Sequence, residues 1–228
     1  MSATSPNLAQ EESRQHTTPS QRTAKRPSNR SAGQQRTSPT DASTLGRIIL
    51  LSGPPGAGKS AAAKEFVASA TGPTVYIEGD TFWHFIAKPH SPPKPRKLTS
   101  RIVIKSMMLS ALPYARAGYE TIVDFTIGPW FLGLFKDYIK EIPFELVILC
   151  PSEKVCAERA GGREEGAMKD YPGDLHLAFS DIKEFEKYAI RDDEASPKEL
   201  AAQIRDGLAK GVFKFDMNEI RESIREST

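Results

Sequence analysis

The segment IILLSGPPGAGKSAAAKEF, residues 48–66, decides the fold of this chain. A short apolar run leads into a glycine-rich turn, and an alanine-rich stretch typical of a helix follows. The turn has the spacing G-x-x-x-x-G-K-S, in which backbone amides curl around phosphate groups. The predicted phosphate loop consists of Gly53, Pro54, Pro55, Gly56, Ala57, Gly58, Lys59 and Ser60. We therefore predict a buried strand, a phosphate-binding loop and a helix in direct succession.

This loop offers three kinds of group to a nucleoside triphosphate. The helix that begins near Lys59 points the positive end of its dipole at the loop. Lys59 adds a mobile cation, and Ser60 supplies a hydroxyl to Mg²⁺. We therefore expect the chain to bind a nucleoside triphosphate together with Mg²⁺.

Further apolar runs alternate with helix-like segments, as in a parallel sheet flanked by helices. The predicted strands are residues 47–52, 74–78, 120–124, 144–150 and 188–190. A helix is predicted to start at Ser152, and Pro113 is predicted to kink another. Ser196, Pro197 and Glu199 combine a cap, a first-turn proline and a glutamate three residues after the cap. The fold class that these patterns predict is α/β.

The first 44 residues differ in composition from the rest of the chain. They are rich in Ser, Thr, Gln, Pro and Arg, and they contain no aromatic residue. Such a segment cannot offset its ordering entropy by burial, so we expect residues 1–44 to be disordered and residues 45–228 to form the folded domain. The tail has six Lys or Arg against three acids, and the rest has 25 against 26. A near-neutral domain does not favour duplex nucleic acid as a partner.

Cys150 and Cys156 are six residues apart, a spacing that fits neither a disulfide framework nor a zinc site. We expect two buried, inert thiols in a reducing cytoplasm. No stretch approaches the ~20 apolar residues of a membrane span, so no membrane association is expected. The expected oligomeric state is a monomer or a weak dimer.

Asp80 follows Gly79 just beyond the second predicted strand. In a parallel sheet the carboxyl ends of all strands meet at the edge that also carries the phosphate loop. A carboxylate at that edge can accept the proton of an acceptor hydroxyl during phosphoryl transfer. It can also cap the helix that follows, since Asp favours the N-cap position. The sequence leaves both interpretations open.

Asp124 closes the third predicted strand, where an acid typically orders the water shell of Mg²⁺. Direct contact with a substrate, or a structural role, is the alternative. The next residue is Phe125, whereas mechanical ATPases usually place a water-activating glutamate there, and the Asn-Lys-x-Asp base reader of GTPases is missing. The pattern therefore favours transfer to an acceptor over a motor or a switch.

Arg159 and Arg163 are four residues apart, so they share one face if the helix that begins near Ser152 continues that far. Paired guanidinium groups could close over the β- and γ-phosphates as a lid, with Gly161, Gly162 and Gly166 as the hinge. The alternative is a solvated helix end whose arginines pair with Glu158, Glu164 or Glu165.

Together, the phosphate loop, Asp80, Asp124 and the Arg159-to-Arg163 segment resemble the P-loop kinases of small molecules. This branch contains chloramphenicol phosphotransferase, gluconate kinase, shikimate kinase and the zeta toxins. The resemblance spans residues 46–208 and implies a P-loop NTPase three-layer fold. It also implies a five-stranded parallel sheet in the order 2-3-1-4-5, a short helical lid, MgATP as the donor and an acceptor pocket formed by the segments after strands two and three.

The predicted acceptor pocket contains Trp83, His84 and Trp130, whose ring faces could stack on a sugar or an aromatic ligand. Core packing is the alternative for the two tryptophans. Thr81 and Trp83 stand where adenylylsulfate kinase would have Asn and Arg, which leaves the acceptor unassigned.

We therefore expect an ATP-dependent kinase that phosphorylates a hydroxyl of a small molecule. The general base would be Asp80, the cations that stabilise the transferring charge would be Lys59, Arg159 and Arg163, and the metal ligands would be Ser60 and Asp124. One alternative is a nucleotide or polynucleotide kinase that uses Lys94, Arg96 and Lys97. The other is an ATP-binding regulator or ATPase without a phosphoryl acceptor.

Overall fold

A computed structural model describes residues 45–88, 96–162 and 171–220. Its five strands form one sheet in which every pairing is parallel, in the order β2-β3-β1-β4-β5. The strands are β1 (Arg47–Ser52), β2 (Thr74–Glu78), β3 (Glu120–Asp124), β4 (Phe144–Leu149) and β5 (Ala189–Ile190). The predicted fold class and sheet order are confirmed, and the predicted strand ends differ by a residue at β4 and β5.

Helices connect these strands as the alternation in the sequence predicts. They are α1 (Lys59–Ala68), α2 (Thr81–His84), α3 (Arg96–Ser110), α4 (Leu112–Arg116), α5 (Lys136–Ile139), α6 (Glu153–Gly161), α7 (Gly173–Ser180) and α8 (Pro197–Lys210). Short 3₁₀ turns cover Pro129–Leu134, Lys183–Tyr188 and Met217–Glu219. The predicted tail, residues 1–44, lies outside the described residues.

The helix signals in the sequence correspond to observed caps. The Ser152 hydroxyl accepts a hydrogen bond from the amide of Val155 at the start of α6. Ser196 and Glu199 form the predicted capping box of α8. A proline is tolerated only in the first turn of a helix. Pro113 lies in the first turn of α4, so the chain breaks between α3 and α4 instead of kinking within one helix as predicted.

The core lies around β1 and β4, whose apolar residues are buried on both faces of the sheet. Central parallel strands need such runs because helices cover both faces. Phe66 of α1 is fully buried, and α1 packs against α8. The helix α3 contributes Met107 and Met108, which are also fully buried.

The strand register brings the carboxyl ends of β1, β2 and β3 level with one another. Asp124 at the end of β3 pairs with Leu51 of β1 on one side and with Glu78 of β2 on the other. The loops that follow Ser52, Glu78 and Asp124 therefore leave the sheet at one edge. In the part of the chain that the structure describes, no helix is both long and apolar enough to span a membrane.

Candidate active site

The phosphate loop is held against β4 and α6 by contacts that only glycine permits. A Cβ atom on Gly53, whose φ is 140°, would lie 2.0 Å from the carbonyl oxygen of Leu149. A Cβ atom on Gly56, whose φ is 76°, would lie 2.0 Å from the carbonyl oxygen of Cys156. Both the backbone conformation and the close approach exclude a side chain, so the geometry of the loop explains Gly53 and Gly56.

The amino end of α1 and the ammonium group of Lys59 both face this loop. The helix begins at Lys59, and neither a side-chain cap nor an acid occupies its first turn. Lys59 Nζ donates hydrogen bonds to the carbonyl oxygens of Gly53 at 3.0 Å and Pro54 at 2.9 Å. The loop therefore combines a helix dipole and a fixed cation, which is the arrangement that binds phosphate.

The last residue of β1 ties the phosphate loop to the segment after β3. The Ser52 hydroxyl is fully buried and donates to the carbonyl oxygen of Ile127 at 2.5 Å. It accepts in turn from the Ile127 amide at 3.2 Å. No local pattern in the sequence indicates this pair, because the two residues are 75 positions apart.

Tyr171 is a second contact of the loop that the sequence analysis missed. Its hydroxyl donates to the carbonyl oxygen of Pro55 at 3.1 Å and also interacts with the Cys156 thiol. Burial raises the pKa of both Tyr171 and Cys156 above their ordinary values, so each stays protonated and neutral at neutral pH. Cys150 and Cys156 are buried and not disulfide-bonded, as predicted.

Asp124 is buried beside the loop and bound to a phenol. The Tyr76 hydroxyl donates to Asp124 Oδ2 at 3.0 Å, and only 3% of Asp124 is exposed. Burial, and then the negative charge of Asp124, raise the pKa of Tyr76 far above its ordinary value.

Asp80 is exposed and lies directly beyond the ladder between β2 and β3. The amide of Gly79 donates to the carbonyl oxygen of Asp124 at 2.9 Å. A Cβ atom on Gly79 would lie 2.6 Å from Met107 Sδ and 2.6 Å from Phe125, so glycine is required here. Close packing at the end of β2 therefore fixes the position of the backbone at Gly79 and Asp80.

The side chain of Asp80 does not cap α2. The residue occupies the N-cap position with helical φ and ψ of −58° and −28°, and its carboxylate makes no capping hydrogen bond. Capping requires an extended N-cap residue whose side chain can turn back to the helix amides, and this backbone does not provide it. The alternative interpretation of Asp80 as a side-chain cap is therefore wrong. Among the described residues, the Asp80 carboxylate forms no ion pair or hydrogen bond.

Arg159 lies beside the phosphate loop. A Cβ atom on Gly58 would be 3.8 Å from Arg159 Nη1, while Arg159 Nη2 donates to the carbonyl oxygen of Asp193 at 3.0 Å. Within residues 45–88, 96–162 and 171–220, Arg159 forms no ion pair with Glu158 or any other acid. The second arginine of the predicted pair, Arg163, lies outside the described residues, as does the rest of the predicted lid.

The three residues of the predicted acceptor pocket have different surroundings. His84 is exposed, whereas Trp83 and Trp130 are both half-buried and packed against the core. The ring centroid of Trp130 lies 5.6 Å from that of Phe179 and 6.2 Å from that of Phe131. No ring contact among the described residues joins Trp83 to Trp130.

A metal site built from protein side chains alone does not occur in the described part of the chain, where no three His, Cys, Asp or Glu converge. The donor set at the loop suits Mg²⁺ bound together with phosphate, because that metal prefers oxygen ligands and takes few of them from the protein. The hydroxyl of Ser60 and the carboxylate of Asp124 are such donors, and the Tyr76 phenol holds Asp124 Oδ2.

The sheet order and the phosphate loop define a protein with the fold of the P-loop small-molecule kinases. Residues 48–177, more than half of the chain, match the family model described as an AAA domain. The chain therefore belongs to this family. No curated protein matches the chain in sequence.

Solved structures share this fold at low sequence identity. The chain is similar to a sugar kinase from Janibacter sp. HTCC2649, with a TM-score of 0.55, 19% identity and coverage of 75% of this chain and 99% of that one. It is similar to the tunicamycin resistance protein of Deinococcus radiodurans, with a TM-score of 0.55, 22% identity and coverage of 72% and 95%. It is also similar to the APS kinase of Mycobacterium tuberculosis in complex with AMPPNP and APS, with a TM-score of 0.53, 16% identity and coverage of 72% and 98%.

Proposed function

We propose that this protein is an ATP-dependent phosphotransferase that phosphorylates a hydroxyl group of a small molecule. The nucleotide phosphates bind at the loop from Gly53 to Ser60, and the acceptor binds beyond β2 and β3. The general base is Asp80. The sugar kinase and the APS kinase that share the fold support a kinase of this kind.

The observation that carries this proposal is the contrast between two acids at one edge of the sheet. Asp124 is buried and accepts a hydrogen bond from a phenol, whereas Asp80 is exposed and has no partner among the described residues. A carboxylate that a hydrogen bond holds in place can orient a metal ion, and a carboxylate without a partner can accept a proton from the acceptor hydroxyl. The two acids thus divide the two tasks that phosphoryl transfer requires.

The cations beside the loop support stabilisation of the transferring charge. Lys59 is fixed within the loop and Arg159 lies next to Gly58. Fixed positive groups stabilise a phosphoryl group in transfer because they need no rearrangement when its charge redistributes. Ser60 and Asp124 would hold Mg²⁺, which neutralises charge on the phosphates when it is bound. Arg163 is proposed as a further cation from the sequence alone.

The acceptor site is proposed around Trp83 and His84 on α2 and Trp130 after β3. Phe85 at the end of α2 is 69% exposed, and its ring centroid lies 5.1 Å from that of Phe82. An exposed aromatic surface beside a carboxylate favours an acceptor that has both a hydroxyl and an apolar or ring-shaped body.

The test is a screen for transfer. The protein is incubated with ATP, Mg²⁺ and pools of sugars, antibiotics and nucleosides, and mass spectrometry detects any pool member that gains one phosphoryl group. We expect ATP consumption to rise only with pools that also yield a phosphorylated product. ATP hydrolysis at a rate that none of the pools alters would support an ATPase without an acceptor instead. Phosphorylation of a nucleotide or of an oligonucleotide end would support a nucleotide or polynucleotide kinase.

A further inference from the structure

The Tyr76 hydroxyl contacts Asp124, one of the two residues that are proposed to hold the metal. Tyr76 is the central residue of β2 and pairs with Ile122 of β3, two positions before the pair of Glu78 and Asp124. From there its hydroxyl donates to Asp124 Oδ2 at 3.0 Å. The phenol therefore joins β2 to the carboxylate that ends β3.

This hydrogen bond has a definite direction. A phenol has one proton to donate, and an ionised carboxylate can only accept. The Tyr76 proton is thus donated to Asp124 Oδ2. The direction of this hydrogen bond follows from the chemistry of the two groups.

This hydrogen bond leaves part of the acceptor capacity of Asp124 free. With Oδ2 bound to the phenol, Asp124 keeps Oδ1 for water or metal. Partners of this kind fix the orientation of metal ligands, and their loss typically costs 10–100-fold in metal affinity.

We propose that Tyr76 is a positioning residue that orients Asp124 for the metal accompanying the nucleotide. This inference rests on the proposed function, because it assumes that Mg²⁺ and a nucleoside triphosphate bind at the loop.

The experiment uses Tyr76→Phe, which removes the hydroxyl and keeps the ring that packs against the core. Calorimetry measures the binding of AMPPNP to the full chain at increasing Mg²⁺ concentrations, and thermal melting checks that the variant is folded. We expect the Mg²⁺ concentration for half-maximal enhancement of binding to rise about tenfold, with AMPPNP binding in EDTA unchanged. The matched control is Tyr114→Phe, which removes the same hydroxyl from an exposed ring that contacts Tyr119, and should change neither value.

A second comparison tests whether Tyr76 acts through Asp124. In the double variant Tyr76→Phe, Asp124→Asn, the Mg²⁺ requirement should equal that of Asp124→Asn alone, because the phenol then has no ionised carboxylate to position. A Mg²⁺ requirement in Tyr76→Phe equal to that of the wild type would overturn the inference while the proposed function stands. Additive effects in the double variant would overturn it as well. Failure of the wild-type protein to bind AMPPNP at any Mg²⁺ concentration would overturn the proposed function and this inference together.

Discussion

Lys59 contacts two carbonyl oxygens of the phosphate loop and has little part in the core. We expect Lys59→Ala to lower turnover by about a hundredfold or more, because a fixed cation is lost at the position of the transferring charge. The melting temperature should change little. The control is Lys64→Ala, the same change at an exposed position of α1. Turnover of Lys59→Ala within a factor of a few of the control would contradict the assignment of the loop.

Glu145 of β4 is the buried acid that the proposed function does not use. Its Oε2 has no hydrogen-bond partner among the described residues, and Oε1 lies 3.7 Å from Arg47 Nη1. Burial raises the pKa of this carboxyl, an effect that the charges of Arg47 and Lys214 only partly offset. The folded state therefore binds the proton more tightly than the unfolded state does, and ionisation lowers stability as the pH rises.

Glu145→Gln cannot ionise, so it should lose this pH dependence. The free energy of unfolding of the variant, minus that of the wild type, should become more positive as the pH rises from ~4 to ~7. Urea unfolding at a series of pH values measures this difference. A difference that decreases over that range would show that the ion pair with Arg47 outweighs the burial of the charge.

The residues of the site differ in how far the sequence could predict them. The phosphate loop follows from a local spacing, and the edge positions of Asp80 and Asp124 follow from the rule that parallel strands end together. Tyr76 and Tyr171 could not be found in this way, because their hydroxyls act on groups 48 and 116 positions away. A tyrosine on the strand beside the one that ends in Asp124 is the signal that could have suggested Tyr76.

At the scale of elements, patterns with a local physical cause predicted the structure well. The capping box of α8 and the cap of α6 are made by residues within four positions of one another. Strand ends were predicted less closely, since β5 has only two residues and its limits are set by pairing with β4. Arg163 and Gly166 of the predicted lid lie outside the described part of the chain.

The helix α2 and the 3₁₀ turn Pro129–Leu134 carry the two tryptophans of the chain. Trp83 is half-buried at the proposed acceptor side, whereas Trp130 packs on Phe179. We expect acceptor binding to change the emission of Trp83 more than that of Trp130, because indole emission follows local polarity. The measurement compares Trp130→Phe and Trp83→Phe, each titrated with an acceptor from the screen in the presence of AMPPNP. If the acceptor does not change the emission of Trp83 in the Trp130→Phe protein, the acceptor binds elsewhere.

At the scale of the whole molecule, the fold and the proposed site lie between residues 45 and 220. The composition of residues 1–44 predicts that they bury almost no apolar surface. We therefore expect deletion of residues 1–44 to leave both the melting temperature and acceptor phosphorylation nearly unchanged. Differential scanning calorimetry and the transfer assay measure the two quantities. A loss of several degrees in the melting temperature would mean that the segment docks on the domain.

The central claim is that Asp80 serves chemistry rather than structure, and one pair of variants tests it most directly. Asp80→Asn removes the base but keeps the size of the side chain, and Asp137→Asn makes the same change at an exposed position of α5. Each is assayed for AMPPNP affinity by calorimetry and for phosphorylation of an acceptor from the screen. The account predicts wild-type affinity in both variants, and transfer at least ~100-fold slower in Asp80→Asn alone. Transfer by Asp80→Asn at a rate close to that of Asp137→Asn would contradict it.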